Sequence, residues 1–205
     1  MINSKTDKKF LYRILNFNND KPTGQKKWDN QFEISQEEWK KIHKNVFKNT
    51  KDSKLQWLQY RINHKILTTN TFLKIIKKSD NDLCSFCLEE RESLEHVMHD
   101  CEKVSTFLRN VQSWFCDNFT FNIRTDKKTF ILGCSESEMV NFINYHLKHF
   151  IYFTKCKGNC LSLNRFKVFW INVYKVEKQI AWKNNCTNQF EKKWKLFESL
   201  KTQVS

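Results

Sequence analysis

The sequence predicts a mainly α-helical domain with a small Cys-Cys-His-Cys zinc knuckle inserted between helices. Three observations carry that prediction. Gly and Pro are scarce, 3 and 1 in 205 residues, whereas an all-β sandwich needs many tight turns built on them. Apolar residues recur at helical spacing along most of the chain, behind Ser and Thr residues placed as N-caps. Four metal-ligand side chains, Cys84, Cys87, His96 and Cys101, crowd into one short stretch. With 40% hydrophobic residues the chain has enough apolar side chain for one packed core, and wholesale disorder is not expected.

In chain order, residues 1–34 read as a partly ordered N-terminal segment, 35–80 as a basic helical segment, 81–103 as the knuckle and 104–205 as a C-terminal helical region packing with the rest as one domain. Met1–Phe10 is polar and no apolar run follows, so it does not read as a secretory signal. Ser35 and Glu38 form a capping box ahead of Trp39, Ile42, Val46 and Phe47. Residues 50–53 break that helix. A second helix runs from Lys54 to Ile66 with Leu55, Leu58, Ile62 and Ile66 on one face. Thr68, Thr69 and Asn70 form a turn with N-cap chemistry that starts a short helix through Phe72 and Ile76. A polar break at Ser79–Asp82 leads into the knuckle. Val104, Leu108, Val111 and Phe115 resume the helical period. Alternation at Phe119, Phe121 and Ile123, followed by Phe130–Leu132, allows one short β-hairpin. Ser135 or Ser137 caps a long helix to about Phe153, residues 155–159 form a loop, and Ser162 caps a last long helix to about Asn185. The tail, with Phe190, Trp194 and Phe197, docks as a short helix. No internal repeat is present, and no apolar run is long enough to span a membrane.

The chain carries 36 Lys+Arg against 22 Asp+Glu, a net charge of +14, which fits a polyanionic partner, RNA or DNA. The dominance of Lys over Arg weakens that inference, because phosphate-reading surfaces favour the Arg fork. Residues 81–101 are an acidic island in this basic chain, with six acidic residues and one basic. Zinc with three thiolates adds a charge of about −1 to it, so the loaded knuckle should not grip phosphates itself. Contacts are expected from Arg61, Lys65, Lys74, Lys77 and Lys78 before it and from the C-terminal helices. In the last long helix Phe166, Phe169, Trp170, Val173, Val176 and Ile180 share one face, while Lys167, Lys175 and Lys178 lie opposite with Asn164 and Trp182. That stripe suits phosphate contact with base stacking. An ordinary solvated helix face gives the same pattern.

Eight cysteines without a secretory signal point to a reducing nuclear or cytoplasmic setting, with thiols free or metal-bound. The motif is C-x2-C-x8-H-x4-C. Its Cys-x-x-Cys turn converges two thiolates on one Zn2+, and His96 and Cys101 supply the other corners, with His99 competing for the third. Such a site is closed and structural, with no position for an activated water. His146, His149, Cys156 and Cys160 admit a second metal site or ordinary core and surface roles. Cys116, Cys134 and Cys186 read as buried thiols. No hydrolase, metalloprotease or kinase motif occurs, and no Asp pair suits two-metal chemistry. Asp126 has only Glu191-Lys192-Lys193 far downstream as a nuclease partner set. A non-enzymatic role is expected, with no small-molecule substrate and no membrane.

The run Gln59-Tyr60-Arg61-x-x-His64-x-Ile66-Leu67-Thr68-Thr69-Asn70, then Leu73, Cys84-Ser-Phe-Cys87, Glu92-Ser-Leu-Glu-His96 and Cys101, resembles the C-terminal region of non-LTR (LINE-type) retrotransposon reverse transcriptases, downstream of the polymerase. Ile131-Leu132-Gly133, Asn141–Tyr152 and Phe166–Glu177 fit the same pattern, and the likeness runs from Trp28 to Trp194. It implies a zinc-knuckle accessory domain that holds element RNA or target DNA during target-primed reverse transcription. It also implies a parent polyprotein whose polymerase and endonuclease domains lie outside this chain. The ligands would be Cys84, Cys87, His96 and Cys101. Arg61 and His64 match positions of the family motif, although Trp57, Arg61 and His64 on one side of a helix could equally brace the knuckle. The alternative function is a protein-interaction or relic fragment that docked on the polymerase domain and binds no nucleic acid.

Overall fold

A computed structural model describes residues 21–119, 121–123 and 126–197. Among these residues nine α-helices and one π-helical turn carry the architecture, and a lone antiparallel bridge joins Leu83 to Arg91. The chain is mainly α, as composition and spacing predict. Met1–Phe10, read as no secretory signal, lies outside the described residues.

Helix α1 spans Thr23–Phe32, where the sequence suggested only partial order. Trp28 is its one deeply buried apolar side chain, so it leaves no periodic signal. Helix α2, Gln36–Asn49, starts at the expected capping box: the Glu38 N–H donates to Ser35 Oγ at 3.1 Å and the Ser35 N–H to Glu38 Oε2 at 2.9 Å. Helix α3, Ser53–Asn63, is capped by Asp52 and ends before Ile66, with Lys65 in the left-handed region at φ 52°. Thr69 caps the short α4, Asn70–Ile75. A π-helical turn, His96–Asp100, leads into α5, Glu102–Phe119.

The short hairpin is not formed. Phe119 belongs to the last turn of α5, and Phe130–Leu132 lie in α6, Lys127–Leu132. Cap chemistry decides this: Asp126 accepts from the Thr129 N–H at 2.9 Å and hydroxyl at 2.6 Å, and Gly133 closes the helix at φ 69°. Helix α7, Glu138–Cys156, is capped by Ser137; α8, Leu163–Lys183, and α9, Thr187–Trp194, complete the order.

Helix α7 is the axis of the fold, buried on most sides and packed against α2, α3, α6 and the π turn. Helix α8 crosses α5 and carries α9 on its other flank. One connected cluster of buried side chains runs from Trp28 through Cys84, Val97, Met98 and Cys101 of the knuckle to Trp170 and Phe197. Within the core, the Lys148 amine donates to Gln59 Oε1 and to the Ile131 carbonyl at 2.9 Å. Burial pushes this amine well below the usual lysine range.

The buried stripe of α8 is Phe166, Trp170, Tyr174 and Ala181. Val176 and Ile180, expected on the core face, stand about half exposed and line a groove of about 570 Å³ against α7 and α9. The core partners of α8 select a stripe rotated from the most apolar one. Cys116 is exposed and Cys134 and Cys186 are only partly covered, contrary to the expectation of buried thiols. Cys116 falls just off the buried face of α5, beside Phe115. No described helix is long and apolar enough to cross a membrane.

Candidate metal centre

Two local structures converge the four predicted ligands. The first is the Cys84–Cys87 turn. The Leu88 N–H donates to the Cys84 carbonyl at 2.9 Å, with Leu88 itself at φ 62°. The Phe86 N–H donates to Cys84 Sγ at 3.4 Å, and the Cys84 N–H to the Glu90 carbonyl at 2.7 Å. The second is the π turn. Side chains five residues apart on an α-helix diverge by about 140°. The wider turn, closed by the Cys101 N–H on the His96 carbonyl at 2.9 Å, brings His96 and Cys101 to one side. The His96 N–H donates to Ser93 Oγ at 3.0 Å, which fixes the start of the turn.

The resulting donor atoms of Cys84, Cys87, His96 and Cys101 all lie within 4.8 Å of one another, close enough to hold a metal ion. Cys84 Sγ is 3.8 Å from Cys101 Sγ, and Cys87 Sγ is 3.4 Å from His96 Nε2. Cys84, His96 and Cys101 are buried and Cys87 is half-buried. His96 Nδ1 lies 3.5 Å from Oε2 of the exposed Glu90, and its Nε2 meets Cys87 Sγ. His99 turns away and lies 3.1 Å from Asp100 Oδ1. Burial pushes the Cys84 thiol up to about 12, and the adjacent Cys101 sulfur adds to it. Burial also raises the Cys87 thiol, but the N–H groups of Glu90 and Glu89, together with His96, outweigh it and bring it down to about 7. The thiolate, the metal-binding form, is therefore most accessible at Cys87. Four protein donors are enough to fill a tetrahedral coordination shell.

One residue has a role that the sequence does not disclose. Glu92 is fully buried and accepts from the Asn70 N–H at 2.7 Å, the Ser85 N–H at 2.8 Å, the Ser85 hydroxyl at 2.6 Å and Lys155 Nζ at 2.9 Å. It ties the start of α4, the metal turn and the end of α7 into one unit. As sequence it stands in the motif Glu92-Ser-Leu-Glu-His96 with no role attached to it.

Several of the island's acids are paired, mostly with cations from outside it. Asp82 pairs with Lys74 at 3.0 Å and Arg91 at 2.9 Å, and Glu95 pairs with Lys65. Lys65 also lies 3.7 Å over the Trp28 ring. Of the cations selected from sequence, Lys65 and Lys74 are thus occupied in holding the knuckle, and Arg61 donates to Thr68 Oγ1. Lys77, Lys78, Lys175 and Lys178 are exposed. Lys167 is half-buried, 5.5 Å over the Trp114 ring. Trp57 does not brace the knuckle, because it stands 60% exposed. His146, His149, Cys156 and Cys160 do not converge: His146 is buried among Phe142, Phe169 and Trp170, while both cysteines are exposed. Among the described residues no second donor cluster forms. In comparisons with known proteins, the chain matches no protein-family model and no curated protein.

Proposed function

We propose that the chain is a non-catalytic accessory module in which one Zn2+ staples a basic helical body that binds RNA or DNA. The observation that carries this reading is the donor spacing. A tetrahedral zinc with Zn–S of about 2.3 Å and Zn–N of about 2.0 Å has S···S edges of about 3.8 Å and S···N edges of about 3.5 Å. One S···S edge is 3.8 Å and one S···N edge is 3.4 Å, and all four donors lie within 4.8 Å of one another. Three thiolates and an imidazole also favour zinc over hard cations such as Mg2+ or Ca2+. The net charge of +14 and the exposed Lys77, Lys78, Lys175 and Lys178 support the nucleic-acid half. The resemblance to non-LTR retrotransposon reverse transcriptases supplies the setting: holding element RNA or target DNA beside the polymerase domain.

A second reading, docking on the polymerase domain without nucleic-acid contact, draws on the exposed Ile66, Ile75 and Ile76 near the knuckle. A salt titration of binding to labelled RNA and DNA separates the two. Under the first reading log K falls linearly with log salt, because lysine–phosphate contacts release counterions. The pairs Lys77→Glu/Lys78→Glu and Lys175→Glu/Lys178→Glu then weaken binding and flatten the slope. Absence of salt-sensitive binding at low ionic strength favours docking.

A further inference from the structure

Helix α3 presents a ladder of rings to solvent. Trp57 and Tyr60 are 60% and 45% exposed, and their rings stack with centroids 5.3 Å apart and 9° between planes. Tyr60 continues onto His64 at 4.3 Å, and His64 approaches His43 of α2 at 6.3 Å. A second ladder crosses α7 and α8. The exposed Phe153 stacks on His149 at 6.1 Å and 18°, and His149 on Phe169 at 6.1 Å and 27°. Lys157 stands 5.6 Å over the Phe153 ring. Helices α3 and α7, which carry most of the two ladders, pack against each other, and Lys54 lies one turn before Trp57 on α3. Burial pushes the His149 imidazole below its ordinary range, with Asp52 and Lys54 acting on it in opposite senses. Lys44, next to His43, and Lys54 and Lys157 are exposed and in no ion pair among the described residues.

Exposed single aromatics need no explanation, but pre-stacked rings interleaved with unpaired cations do. We propose that this face is a stacking platform for the unpaired bases of a single-stranded nucleic acid, with Lys44, Lys54 and Lys157 taking its phosphates. The inference rests on the nucleic-acid reading above and names the surface that serves it. Charge complementarity selects a polyanion over an apolar peptide. Parallel ring faces accept any base, so the contact is tolerant of sequence. A duplex keeps its bases stacked internally and offers the rings nothing.

The test compares the full chain with Trp57→Ala/Tyr60→Ala and with Trp57→Phe. Binding of a short labelled single strand, and of the same sequence as a duplex, is followed by fluorescence anisotropy at several salt concentrations. The wild type prefers the single strand. The double alanine variant loses about tenfold or more of single-strand affinity. Its duplex binding and salt slope stay unchanged, and Trp57→Phe retains most of the wild-type affinity. Matching circular dichroism shows that the variants fold. If the wild type binds with salt dependence and the alanine variant binds single strands equally well, this inference falls and the accessory-module reading stands. If the wild type binds neither probe and instead self-associates through Trp57, seen as a sedimentation shift lost in Trp57→Ala, the face is a protein interface and both readings fall.

Discussion

Glu92 and Lys155 form a buried ion pair whose carboxylate also collects two N–H groups and a hydroxyl, so its remaining lone pairs are satisfied. The contrast with the metal ligands explains what a sequence exposes at this scale. Cys84, Cys87, His96 and Cys101 are legible because their spacing is local and their chemistry is narrow. The role of Glu92 is not, because its cationic partner Lys155 arrives from the end of α7. His146 makes the residue-scale prediction. Its ring is packed among Phe142, Phe169 and Trp170, and its Nδ1 has no partner. Burial is the main cause that holds this imidazole down to about 3. An unfolded histidine titrates near 6.5, so below about pH 6.5 the unfolded chain binds a proton that the fold refuses. Stability from this group is complete above that pH. It declines toward about pH 3, by up to about 1.4 kcal/mol per unit. Urea melts at neutral and mildly acidic pH should show a shallower acid decline for His146→Phe than for wild type. Equal declines would contradict the assignment.

At the scale of elements, caps were better guides than apolar runs. Ser35 with Glu38, Thr69 and Ser137 each start the helix they mark. The alternation near Phe119 and the run Phe130–Leu132 misled, because Asp126 and Gly133 bracket a helix around the second of them. The covered stripe of α8 is rotated from its most apolar one, since α5 and α9 decide which side of it is buried. Helix α1 went unseen because its docking depends on shape. A Cβ on Gly24 would stand 2.2 Å from the His64 carbonyl oxygen, and Trp28 Nε1 donates to the Ile62 carbonyl at 3.2 Å. Backbone cannot yield as a flexible side chain does. Gly24→Ala should therefore cost about 2 kcal/mol or more by lifting α1 from the end of α3, read as a lowered denaturation midpoint. A midpoint equal to wild type would mean that α1 does not pack this closely.

For the whole molecule, fold class and the presence of a ligand cluster follow from composition and spacing, while the map of free charge does not. Which lysines are free depends on tertiary pairing: Lys65 and Lys155 turn inward and Lys74 pairs at the surface, all on knuckle carboxylates, while Lys77, Lys78, Lys175 and Lys178 stay outside. The knuckle is thereby bound into the helical body by its own acidity, and its sulfurs share one core with α5 and α7. Metal binding to such a site is part of the folding free energy. Elemental analysis of purified chain, paired with thermal melts before and after chelation, tests this most directly. The account predicts about one zinc per chain, a melting temperature lowered on its removal, and the same loss in Cys84→Ser without chelator. Metal-free protein whose melting temperature is indifferent to chelator and to Cys84→Ser would contradict it.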